Sequence, residues 1–168
     1  MNPATDETAR PPSPLEAAFN VARCHEEQGQ VDKLGAPYLE HVRRVVDRVA
    51  AIAPDHLVES AKVAAALHDV VEDCDEITLE DLRAAGFSEA VVAAVGSVTR
   101  GEDEEYFDMV RRAAQDEIGR WVKLADNLDN SDPDRAGDLP EEVRERLRAK
   151  YAEARAILAA HGAVDPDT

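Results

Sequence analysis

Apolar residues recur at helical spacing along nearly the whole of this 168-residue chain, and no stretch alternates with period two over a useful length. Eight helical segments are predicted: Leu15 to Glu27, Tyr38 to Ile52, Asp55 to Asp73, Leu79 to Ala85, Glu89 to Val98, Glu104 to Ala114, Glu117 to Leu128 and Glu141 to His161. Short apolar pieces such as Val91-Val92 lie inside helical context, so a sheet has little material to form from. Punctuation agrees with these bounds: Pro37, Pro54 and Pro140 stand at helix starts, Asp55, Thr78 and Ser88 are able to cap, and Gly86, Gly101 and Gly162 are able to end helices. The expected class is all-α, a single compact bundle of about eight helices. Its length suits one domain over residues 15–161, while the proline-rich residues 1–14 and the core-poor residues 162–168 predict loose ends.

A formal charge of −17 opposes attraction to DNA, RNA or anionic lipid, which need clustered Lys and Arg. No run approaches the length of a membrane span, and the first residues lack the basic and apolar regions of a signal peptide. Cys24 and Cys74 have the spacing of neither a disulfide framework nor a zinc knuckle, so both read as reduced thiols and the chain as cytoplasmic. A small anionic ligand remains compatible with this charge, because a metal ion and a few local bases invert the potential inside one cleft. Oligomeric state is left open.

Chemistry concentrates in His68-Asp69-Val70-Val71-Glu72-Asp73, which closes the helix-forming run Ser60 to Leu67. A His-Asp pair alone is common in so acidic a chain, but the pair with Glu and Asp at fixed following positions is not. Nothing interrupts the predicted helix before Cys74, so His68 faces the same way as Glu72, four residues on. Two ligands bind an ion weakly. His41 in Pro37-Tyr-Leu-Glu-His41 and Asp126 in Val122-Lys-Leu-Ala-Asp126 stand out as the residues to complete the set from other helices. Two imidazoles and two carboxylates suit Mn²⁺ first, with Fe²⁺, Co²⁺ or Zn²⁺ as alternatives, and leave positions open for water and substrate.

The order His41, His68-Asp69, Asp126 resembles the HD superfamily of metal-dependent phosphohydrolases. More narrowly, Gly35-Ala-Pro-Tyr-Leu-Glu-His41, Ala66-Leu-His-Asp-Val-Val-Glu-Asp73 and Val122-Lys-Leu-Ala-Asp126 resemble the hydrolase domain of RelA/SpoT proteins, which removes the 3′-pyrophosphate of (p)ppGpp. The resemblance implies an α-helical fold, a divalent metal usually given as Mn²⁺, and a catalytic role for Glu72 and Asp73 near the attacking water. It also implies nucleotide contacts by Asn130 and Lys33. Lys123 shares the helical face of Asp126 and is able either to neutralise a phosphate or to pair with an acid. Three departures bear on specificity: Asp32-Lys33 stands where the family has Arg-Lys, Asp129-Asn130-Ser-Asp-Pro133 where it has His-Asn-Met-Arg-Thr, and Val42 where it has Pro. None removes a ligand.

The expected function is a nucleotide phosphohydrolase using metal-bound water, most like (p)ppGpp 3′-pyrophosphohydrolase. The alternatives are a nucleoside monophosphate 5′-nucleotidase and a metal- and nucleotide-binding module without turnover. Arg43, Arg44 and Arg100 are weaker phosphate candidates, His25 reads as a surface residue, and Trp121, Tyr106 and Phe107 read as packing groups.

Overall fold

The computed structural model describes residues 10–32, 35–136 and 139–166. Residues 1–9 and 167–168 of the expected loose ends, and Lys33, lie outside the described residues. The helices are α1 (Pro14–Ala22), α2 (Cys24–Glu27), α3 (Tyr38–Ile52), α4 (Val58–Leu67), α5 (Val70–Asp73), α6 (Leu79–Ala84), α7 (Glu89–Val98), α8 (Tyr106–Gln115), α9 (Gly119–Asn130), α10 (Pro133–Ala136) and α11 (Glu141–Ala159). Among the described residues, eight helices have six residues or more and the other three are four-residue pieces. Among the described residues the only β-type pairing is an isolated bridge between Val31 and Pro37, so the all-α class holds.

Local chemistry explains most boundaries. Ser13 and Glu16 form a reciprocal capping box with Pro14 in the first turn of α1, and Thr78 with Asp81 does the same for α6. Ser88 caps α7, whereas Asp55 does not cap: α4 starts at Val58, after a turn closed by Leu57 N to Pro54 O at 2.8 Å. Gly86 and Gly162 supply the positive φ that follows α6 and α11; Gly101 ends no helix.

Two predicted helices are broken. The first divides at Arg23. The second, Asp55 to Asp73, divides between α4 and α5 at His68 and Asp69, so the expectation of an unbroken helix through this pair is corrected. His68 keeps helical angles, but its N–H reaches only the Ala65 carbonyl at 3.5 Å, and Asp69 sits at φ −111°, ψ −1°. That conformation lies outside the helical well and turns the chain between the two residues.

α3, α4 and α9 pack together at the centre. α3 buries Leu39, Val42, Val45, Val46 and Val49 on one stripe, with His41 among them. Facing it, α4 buries Ala61, Ala64, Ala65 and Ala66, small side chains that let the helix axes approach closely. A larger residue at Ala64 or Ala65 would overpack this contact, at a cost of about 1–3 kcal/mol. A second cluster of Met109, Val110, Ala114, Leu124, Ala154 and Leu158 docks α8 and α11 on the other side of α9. Among the described residues no helix is long and apolar enough to cross a membrane.

The cysteines overturn a sequence reading. Cys24 and Cys74, expected as reduced thiols, form a disulfide with Cα atoms 6.1 Å apart across 50 residues of sequence. Packing of α2 against α5 brings the two cysteines together, a juxtaposition that sequence spacing does not reveal. The cytoplasmic setting inferred from free thiols loses that premise.

Candidate metal centre

The packing of α3, α4 and α9 delivers four polar side chains to one point. His41 comes from α3, His68 and Asp69 from the turn between α4 and α5, and Asp126 from α9. His41 Nε2 lies 3.4 Å from Asp126 Oδ1 and 4.0 Å from Asp69 Oδ2. His68 Nε2 lies 2.7 Å from Asp69 Oδ2 and 3.9 Å from Asp126 Oδ1. Neighbouring ligands of a small octahedral cation, with bonds of about 2.1 Å, are roughly 3 Å apart, so these separations suit a shared ion. The imidazoles and Asp126 alone offer ligand atoms all within 4.8 Å of one another, a group able to hold a metal ion.

Each imidazole is fixed from behind. His68 Nδ1 faces the Ala65 carbonyl at 2.8 Å, and a carbonyl only accepts, so this nitrogen carries the proton. Nε2 is then a buried lone pair aimed at carboxylate oxygens, and it makes no hydrogen bond despite the short separation from Asp69. His41 Nδ1 lies 2.7 Å from Asp129 Oδ2, which leaves its Nε2 facing Asp126 and Asp69. A histidine held through one nitrogen by a carboxylate or carbonyl, with the other turned inward, is the usual preparation for metal ligation. The residues therefore fit a divalent cation.

Electrostatics point the same way. Burial alone would lower the His41 pKa, but hydrogen bonds to Asp126 and Asp129 and the Asp69 charge raise it to about 9. Burial likewise opposes charge on His68, and Asp69 and Asp126 raise it. Lys123 and the imidazoles hold Asp126 well below the ordinary carboxylate range despite its burial. So dense a set of carboxylates calls for positive charge at the centre, supplied either by protons or by a cation.

Asp69 is the open side, with 18% of its side chain exposed against 3% for His41 and 2% for His68. Tyr38, three residues before His41, donates its hydroxyl to Asp69. Glu72 and Asp73 lie on α5 beyond it. Glu72 Oε2 accepts from the Arg100 backbone N–H at 2.8 Å. Asp73 stands at the surface, yet protein packed against one side and the charges of Asp69 and Glu72 push its carboxyl up to about 6. On α9, Lys123 Nζ donates to Asp126 Oδ2 at 2.7 Å and Asn130 Nδ2 to Asp126 Oδ1 at 2.5 Å, so both flank the same carboxylate. Asn130 also lines a small cavity of about 90 Å³ with Pro133, Arg144, Arg148 and Tyr151. A larger cavity of about 710 Å³, between the start of α1, α4 and the turn from α6 to α7, is lined by none of these groups.

Sequence reasoning gave no role to Asp129 or Tyr38. Each sits three residues from a named residue on the same helical face, which is the signal available for finding them. His25, read as a surface residue, is fully buried beside Tyr38, with ring centroids 4.7 Å apart, and its Nδ1 lies 2.6 Å from Gln30 Oε1. Cys24, His25 and Cys74 also have metal-ligand spacing, but the disulfide takes both sulfurs.

Comparison with known proteins places these residues in context. A guanosine-3′,5′-bis(diphosphate) 3′-pyrophosphohydrolase of Vibrio cholerae is 38% identical over 112 residues, covering 66% of this chain and 15% of that protein. The human protein guanosine-3′,5′-bis(diphosphate) 3′-pyrophosphohydrolase MESH1 is 35% identical over 126 residues, 69% of this chain and 66% of its own length. The chain thus spans under two thirds of each of these relatives. A solved metazoan ortholog of SpoT, described as hydrolysing ppGpp, superposes with a TM-score of 0.73 at 27% identity, over 94% of this chain and 90% of that one. The HD domain model matches residues 38–131, a span that opens at Tyr38 and contains His41, His68, Asp69, Asp126 and Asp129, so the chain belongs to the HD domain family.

Proposed function

We propose that this chain is a metal-dependent phosphohydrolase acting on a guanosine nucleotide that carries a 3′-pyrophosphate, with His41, His68, Asp69 and Asp126 as ligands of Mn²⁺. The observation that carries the reading is the pair of inward Nε2 atoms, each fixed through its Nδ1 and each facing Asp69 and Asp126. The mixed nitrogen and oxygen donors favour Mn²⁺, with Fe²⁺, Co²⁺ and Zn²⁺ as competitors. The names and titles of the relatives support the substrate.

The ion, when bound, lowers the pKa of a coordinated water and polarises a phosphate oxygen. The chain supplies the rest. Asp73 accepts the proton of the attacking water, since Glu72 is occupied by the Arg100 N–H and holds α5 against the loop after α7. General-base catalysis of this kind contributes about 10²–10⁴-fold, so Asp73→Ala loses activity on that order. Asn130, at the edge of the cavity with Arg144 and Arg148, contacts the nucleotide, and Lys33 neutralises its phosphate. Lys123 acts on Asp126 and so keeps the ligand ionised. The partner is a small anionic nucleotide, not a nucleic acid. A cytoplasmic setting matches that substrate class, and the disulfide weighs against it.

Purified chain given Mn²⁺ and ppGpp should release pyrophosphate, and Asp69→Ala should abolish release. Turnover of deoxynucleoside monophosphates with none of ppGpp would replace this reading with a 5′-nucleotidase. Tight nucleotide binding with no product from either would make the chain a binding module.

A further inference from the structure

Asp32, Asp129 and Asp132 are the three acidic departures from the RelA/SpoT pattern, and in space they meet in one arginine network. Arg44 donates from Nη2 to Asp32 Oδ2 at 3.1 Å and from Nε to Asp129 Oδ1 at 3.0 Å. Arg135 bridges the same two carboxylates, with Nη2 on Asp32 and Nη1 on Asp129, and Nη1 also donates to the Asp129 carbonyl at 3.0 Å. Arg48 completes the network, from Nε to Asp129 Oδ1 at 3.4 Å and from Nη2 to Asp132 Oδ2 at 2.6 Å. The carboxylates are enclosed: 5% of the Asp32 side chain and none of that of Asp129 is exposed. Asp32 Oδ1 also accepts from the Ala36 N–H at 3.1 Å, which ties the loop before α3 to the same cluster.

We propose that Asp32 is a positioning residue for the metal centre, acting through Arg44 and Arg135 on Asp129 and thence on His41. It rests on the metal reading above. Three guanidinium groups meet three carboxylates here, and Asp129 Oδ2 is shared between Arg135 and His41 Nδ1. Removing the Asp32 charge leaves Arg44 and Arg135 with Asp129 as their one common anion, so they draw its carboxylate toward themselves. The His41 ring then loses its fixed orientation, and Nε2 no longer points at the ion. Asp32 is therefore not a lost phosphate contact; its charge is spent on arginines inside the fold.

The test is a double-substitution cycle read by calorimetric titration with Mn²⁺, with thermal melts run in parallel. Asp32→Asn should weaken Mn²⁺ binding about three- to tenfold, less than the roughly 10–100-fold typical of a group in direct contact with a ligand, because Asp32 stands one step further back. In an Asp129→Asn background the same change should alter it by less than about twofold. Asp32→Glu, which restores the carboxylate, should recover most of the affinity. Equal loss in both backgrounds, or none in either, overturns the proposal. Should Asp32→Asn not fold, Arg44→Lys keeps the charge but loses the two-armed bridge, and unchanged Mn²⁺ affinity there overturns it equally. Failure of the unaltered chain to bind Mn²⁺ overturns the metal reading itself; binding by the unaltered chain with no effect of Asp32 overturns this inference alone.

Discussion

Asp129 holds His41 from behind, Oδ2 to Nδ1 at 2.7 Å, with its carboxylate wholly buried beneath Arg44, Arg48 and Arg135. The His41 imidazole, with Arg44 and Arg135, overcomes the cost of burial and sets the Asp129 pKa at about 2, so it stays an acceptor and the His41 Nδ1 stays the donor. Asp129→Asn keeps the shape and removes the charge. Mn²⁺ affinity should fall about 10–100-fold, as measured by calorimetry, while helix content by circular dichroism is retained. Unchanged affinity would mean that this carboxylate serves the fold alone.

Much of this centre could be read before any coordinates, because the HD signature places ligand types at fixed order and helical periodicity places them on helices. His41, His68, Asp69 and Asp126 needed only those two facts. Asp129 escaped because a carboxylate on a charged-looking helix reads as solvated, and its burial depends on Arg44 and Arg135, 85 and 6 residues away in sequence. The break at His68-Asp69 escaped because Ala, Val and Leu residues carry no mark of a turn that tertiary packing imposes. The Cys24–Cys74 bond was likewise a matter of how α2 docks on α5, across 50 residues.

That bond closes the short α2 segment onto the residue following Asp73. Cross-linking across such a loop stabilises by restricting the unfolded chain, typically by about 2–4 kcal/mol. Reduction, or Cys24→Ser with Cys74→Ser, should lower the urea midpoint by a corresponding amount. Coincident curves for oxidised and reduced protein would refute it.

The pair between Glu104 and Arg112 predicts a specific acid sensitivity. Arg112 Nη2 lies 2.7 Å from Glu104 Oε2, and the same guanidinium donates to the Gly96 and Thr99 carbonyls. Arg112, with help from the Gly101 N–H, lowers the Glu104 pKa from 4.5 to about 2. A depressed carboxylate stabilises the fold fully above its unfolded pKa, and that contribution is lost as pH falls through the folded one. The melting temperature of the unaltered chain should therefore exceed that of Glu104→Gln above pH 4.5, with the gap closing toward pH 2. A gap that is constant over this window would assign the effect to packing.

Gly119 opens α9, the helix that carries Asp126, against α7. A Cβ at this position would lie 2.0 Å from Ser97 Oγ and 3.2 Å from Asp116 Oδ1. Ser97 is buried and donates to the Ala94 carbonyl at 2.7 Å, so its hydroxyl cannot swing aside without giving up that bond. Asp116 is equally engaged, accepting from the Ile118 and Gly119 N–H groups at 3.0 and 2.7 Å. Gly119→Ala should thus destabilise by about 1–3 kcal/mol in chemical denaturation, the usual cost of overpacking a tight contact. Adding Ser97→Ala removes the nearest clash and should restore part of the loss. If the single substitution were neutral, the close approach of α7 and α9 would not be what seats Asp126.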